Sequence, residues 1–85
     1  MEYNNEAEIL ESFLQKKPCS PEIPLSTDGN KLMSYGIMVA RWDGDKMCLM
    51  SDRVENAVVK GINYARAIRR ILRNITGIAK ARKLI

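Results

Sequence analysis

Five bases, Arg66, Arg69, Arg70, Arg73 and Lys80, are the side chains of this chain whose types and spacing best suit chemistry, and that chemistry is anion binding. On a helix, at about 100° per residue, they fall within roughly a third of the circumference. Four of them are arginines, whose forked donors match a phosphate bidentately. No acid occurs from Asn56 to Ile85, so the face lacks the i,i+4 acid–base pairs with which surface helices normally neutralise themselves; the competing reading of these arginines is a solvated or self-paired face. Tyr35, Trp42 and Tyr64 are the candidate base-stacking rings, although Tyr35 and Trp42 lie in an apolar stretch that favours a core role.

Catalysis finds little support. The chain has no histidine, which removes the commonest general base and the usual partner of a nucleophilic Ser or Cys. Asp43 and Asp45 read as turn residues, and Asp52 and Glu55 as the capping box of a helix; a metal site among these four is the minor alternative. Cys19 and Cys48 match no metal-ligand spacing and no disulfide framework, so both read as reduced thiols, with Cys48 as a small buried apolar residue. No enzyme activity, metal or cofactor is expected.

The element that must carry the bases is residues 52–85, read as one long helix. Val54, Val58, Gly61, Ala65, Ile68, Leu72, Ile75 and Ala79 alternate at spacings of four and three, the pattern of a heptad seam. The first seven of these are the expected oligomer interface, and Ala57, Tyr64, Ile71 and Ile78 widen it on one side. Asp52, with Glu55 three residues on, should open this helix. Gly77-Ile78 is the candidate stop, with a left-handed glycine and an apolar residue folding back, and competes with a helix that runs on.

Before it, residues 31–42 read as a strand and residues 47–50 as a second, joined by Asp43-Gly44-Asp45-Lys46 in a β-hairpin. Met33, Tyr35, Ile37 and Val39 should share one face of the first strand, and Leu32, Gly36, Met38, Ala40 and Trp42 the other. Residues 4–17 form a short amphipathic helix on Ala7, Leu10 and Leu14, with Ile9 and Phe13 alongside and Asn4 or Asn5 as its cap. Residues 18–30, with Pro18, Pro21, Pro24 and Asp28-Gly29, read as an irregular connector. The expected fold class is therefore α+β. Residues 1–30 are a helix and a Pro-containing connector or arm; residues 31–85 are a core domain of hairpin plus long basic helix.

Eighty-five residues make one small domain of marginal stability, for which self-association into a homodimer or larger oligomer is an economical remedy. The net charge of +4 conceals an asymmetry. Residues 1–50 carry eight acids and five bases, and residues 51–85 two acids and nine bases. A basic half beside an acidic one points to an anionic partner. The opening residues show no secretory-signal pattern, and no apolar run is long enough to span a bilayer, so the expectation is a cytoplasmic protein without a membrane partner. No recognition-helix, zinc-finger, single-stranded-RNA or Gly-rich phosphate-loop motif occurs. The expected function is non-catalytic nucleic-acid binding by a small oligomeric, regulatory protein. The competing reading is a small oligomeric inhibitor or sponge protein that sequesters a nucleotide-like small molecule or an acidic protein surface.

Overall fold

The chain builds a five-stranded antiparallel sheet with its helices packed mainly on one face, an α+β fold in agreement with the sequence reading. The structure, a computed structural model, describes residues 6–20 and 24–85. The elements in order are α1 (Glu6–Leu14), β1 (Pro18–Cys19), β2 (Leu25–Asp28), β3 (Lys31–Ser34), β4 (Ile37–Asp43), β5 (Lys46–Leu49), α2 (Ser51–Val59) and α3 (Ala65–Ala81). The strands pair in sequence order, so every connection is local. The expected caps Asn4 and Asn5, and Pro21, lie outside the described residues.

The expected hairpin is present as β4–β5, closed by the Asp43↔Lys46 pair, with Gly44 taking the positive φ that the turn requires. The single strand expected over residues 31–42 is instead two. Tyr35 and Gly36 both adopt positive φ (51° and 81°) and form a two-residue turn that sends β4 back along β3. The connector is also more ordered than its prolines suggest, because β1 and β2 pair within it. At the Asp28-Gly29 turn the Asp28 carboxylate accepts the backbone N–H groups of Asn30 and Lys31, each at 2.8 Å. Those two bonds hold the Asp28 carboxyl below the usual carboxylate range.

The assignment of faces differs from simple alternation for two reasons: the Tyr35-Gly36 turn pairs Ile37 with Ser34 and so separates it from Met33, and a bulge follows in β4. Leu32 pairs with Ala40 and Met33 with Met38, so Val39 is an extra residue in β4, a β-bulge. Val39 and Ala40 are consequently both fully buried. The helix-facing side of the sheet carries Leu25, Thr27, Leu32, Ser34, Trp42 and Met47, all buried. The opposite side carries Ser26, Met33, Met38, Arg41 and Cys48, all only half-buried. Cys48 is thus a residue of the open face rather than of the core.

Ile9, Leu10 and Phe13 of α1 and Ile68, Ile71, Ile75 and Ala79 of α3 complete the core against this sheet. Ala7 of α1 is exposed and Leu14 half-buried, so the buried face of α1 is rotated from the expected Ala7–Leu10–Leu14 stripe. The Trp42 indole N–H donates to the Phe13 carbonyl oxygen at 2.8 Å, tying β4 to the end of α1. The C-terminal tail returns to the sheet, where the Met47 N–H donates to the Leu84 carbonyl oxygen at 2.8 Å and covers part of the β5 edge.

The long helix expected over residues 52–85 is broken after α2. Gly61 takes φ +83°; its N–H reaches the Val58 carbonyl and the Ile62 N–H reaches the Ala57 carbonyl, the paired bonds of a Schellman stop. The break lets Val54 of α2 and Ile68 of α3 reach the same core. One continuous helix over these residues would be about 50 Å long at 1.5 Å per residue, whereas the longest dimension of the molecule is 34 Å. Gly77, the stop candidate, lies inside α3, which ends in the same motif at Lys83 (φ 58°), with the Leu84 N–H on the Ala79 carbonyl. The helix start differs too: α2 begins at Ser51 with Met50 as its N-cap and no side-chain cap. Asp52 therefore sits within the first turn, where its charge still suits the helix dipole, and Glu55 is drawn away to Arg69.

Candidate nucleic-acid interface

Burial of Ile68, Ile71, Ile75 and Ala79 fixes the rotation of α3 and so turns Arg66, Arg69, Arg70, Arg73 and Lys80 to solvent. All five predicted bases are exposed, and α3 brings them together on its outer face. Their environments differ. Arg69 makes a two-pronged contact with Glu55 of α2, Nη2–Oε1 at 3.0 Å and Nε–Oε2 at 3.3 Å. On the other side, Arg70 Nη2 lies 3.1 Å from Glu6 Oε2 of α1, and Arg82 Nη2 lies 3.8 Å from Glu11 Oε1. Arg66, Arg73 and Lys80 make no ion pair among the described residues. Seven residues apart along the helix, these three form a line of unopposed charge down the middle of the exposed face, with paired charges on either flank.

The three candidate stacking rings are separated by the fold. Trp42 is in the core, its ring 5.7 Å from that of Phe13 and covered by the Lys16 ammonium at 4.8 Å, so it has no face for a base. Tyr35 and Tyr64 meet instead, with ring centroids 4.1 Å apart and planes 13° from parallel. Both have positive φ, an uncommon backbone for a bulky residue, and the stack helps offset that strain. Tyr64 is 61% exposed, so it offers ring surface to solvent immediately before α3.

The seam residues do not form a free surface. Val54, Ile68 and Ile75 are at most 1% exposed in the chain's own core, and Val58 and Leu72 pack half-buried against it. Gly61 is at the helix break, with Ala65 half-buried at the start of α3. A second copy would have to meet other surfaces than these. The four acids considered as a metal alternative are dispersed: Asp43 faces Lys46, Asp45 lies 3.9 Å from Lys16 Nζ, Asp52 is in α2 and Glu55 is paired with Arg69. No cluster of three or more His, Cys, Asp or Glu able to hold a metal ion occurs among the described residues. No helix there is long and apolar enough to cross a membrane.

The flanking acids Glu6, Glu11 and Glu55 are the part of this site that sequence reasoning missed. Their signal was only the amphipathicity of the helices that carry them, which says that an acid faces solvent but not which base it will meet. The chain matches no protein-family model, no curated protein and no solved structure.

Proposed function

We propose that the protein binds nucleic acid without catalysis, holding a phosphate backbone along the outer face of α3 and acting by occupancy, as a small regulatory protein does. The observation that carries this reading is the unopposed line Arg66, Arg73 and Lys80 on a helix with no acid of its own. At 1.5 Å per residue it spans about 21 Å, the length of about six base steps at 3.4 Å. Arg69 and Arg70 extend it, because exposed ion pairs such as theirs are worth only about 0–1 kcal/mol and exchange readily for a phosphate. Alanine substitutions test the reading. Arg66→Ala, Arg73→Ala and Lys80→Ala should each weaken binding of labelled duplex DNA, single-stranded DNA or RNA by a similar factor while circular dichroism stays unchanged. Absence of polymer binding at low salt would remove this proposal.

A second reading, sequestration of a nucleotide-like small molecule, is supported by the Tyr35–Tyr64 stack and the exposed ring of Tyr64. In that case mononucleotides should compete at low concentration, Tyr64→Ala should abolish binding, and only one or two arginines should matter.

A further inference from the structure

Among the described residues no helix is laid across the sheet face opposite α1 and α3, and one end of that face is concave. There α2 runs beside the start of β4, where β5 has ended, and a cleft of about 830 Å³ opens between α2 and the β3–β4 hairpin. This is within the usual range of about 300–1,000 Å³ for ligand sites. Met33, Met38 and Met50, all half-buried, contribute much of its apolar floor, while Lys31, Arg53 and Lys60 stand exposed in its lining. Among the described residues none of these three bases makes an ion pair, although Lys31 feels the charge of Asp28, and Asp52 is the one acid that lines the cleft.

We propose that this cleft binds an acidic peptide segment of a partner protein, which inserts apolar side chains among the methionines and sets its carboxylates against Lys31, Arg53 and Lys60. Unbranched methionine side chains re-pack around differently shaped apolar anchors, the property that suits them to peptide-binding surfaces. Three bases against one acid give the occupant its charge. A peptide fits better than a nucleic acid because, among the described residues, no aromatic ring lines the cleft to stack a base, and the floor offers an apolar surface that a phosphate backbone cannot use. The proposal stands apart from the basic face of α3, since none of the five α3 bases lines the cleft.

The test uses the full chain and two labelled synthetic peptides that share a pattern of leucine and phenylalanine pairs, one with intervening glutamates and the other with lysines. Fluorescence anisotropy should show saturable binding of the acidic peptide and none of the basic one. Arg53→Glu combined with Lys60→Glu should weaken it at least about tenfold. Met38→Gln, which removes apolar surface without adding charge, should weaken it several-fold, and Arg66→Ala combined with Arg73→Ala should leave it unchanged. Circular dichroism on each variant confirms that the fold persists. Equal binding of the two peptides, or full affinity in the Arg53/Lys60 variant, would overturn the proposal. So would loss of oligonucleotide rather than peptide binding in that variant, which would assign the cleft to nucleic acid. Sedimentation showing that Met38→Gln dissociates a dimer would assign the cleft to a second copy instead.

Discussion

Three glycines should respond to the same substitution with different signs. Gly29 has φ +99°, and a Cβ built there would lie 2.8 Å from the Lys16 carbonyl oxygen and 3.1 Å from its carbon. Gly29→Ala therefore combines left-handed backbone strain with a collision against backbone that α1 and β1 hold in place, a loss of about 2–4 kcal/mol. Gly61 (φ +83°) has nothing within 4 Å of its Cβ position, so Gly61→Ala carries the strain alone, about 1 kcal/mol. Gly77 is helical, exposed and equally unobstructed. Gly77→Ala should raise stability by about 0.5–1 kcal/mol through helix propensity. In a domain of this size each kcal/mol moves the melting temperature by about 4–8 °C. Urea titration and thermal melts should therefore order the four proteins Gly77→Ala, wild type, Gly61→Ala, Gly29→Ala from most to least stable. Stabilisation by Gly61→Ala together with destabilisation by Gly77→Ala would mean that the helix breaks at Gly77 and runs through Gly61, contrary to the structure.

Ile68→Glu puts an unpaired charge into a position only 1% exposed, so it should unfold the chain at every concentration; a folded monomer of this variant in sedimentation and circular dichroism would return Ile68 to an interface between copies. Asp28, whose native carboxyl is held below its unfolded range by the Asn30 and Lys31 N–H bonds, contributes stability that is fully present above the unfolded value and disappears as pH falls through the native one. Denaturation across acidic pH should therefore show a shallower acid-side decline in Asp28→Asn than in wild type, and identical slopes would remove that role. Glu55→Gln breaks an exposed pair and should change stability by less than about 1 kcal/mol. It should tighten nucleic-acid binding by freeing Arg69 and removing a flanking acid, as measured by anisotropy.

The hairpin at Asp43-Gly44 and the outward direction of the arginines were legible because each follows from a local rule, a turn that needs positive φ or a period of 3.6 residues. The helix break was not, although its signal was present. Gly61-Ile62 and Gly77-Ile78 are the same dipeptide, and only the first becomes a stop. Which one does so depends on Val54 and Ile68 both reaching one core, a fact of tertiary packing. The heptad spacing was real but ambiguous, since a stripe that can meet a second helix can equally meet the chain's own sheet. Alternation misassigned Met38, placing it with Ala40 and Trp42, because the bulge at Val39 shifts the period by one residue and leaves little mark in the sequence. The tyrosine turn at Tyr35-Gly36 was hidden by a β-prone residue, whose positive φ coincides with a ring stack formed by a residue far along the chain.

The claim that α3 tracks a phosphate backbone is tested most directly by the salt dependence of oligonucleotide affinity. Neutralising three phosphates through Arg66, Arg73 and Lys80, and five when Arg69 and Arg70 join, predicts a plot of log affinity against log salt with a slope of about −2.7 to −4.5 on duplex DNA and about −2.1 to −3.5 on single strands. The slope should become shallower by about one for each of these residues changed to alanine. A slope near zero, or one unmoved by Arg66→Ala and Arg73→Ala, would contradict the account.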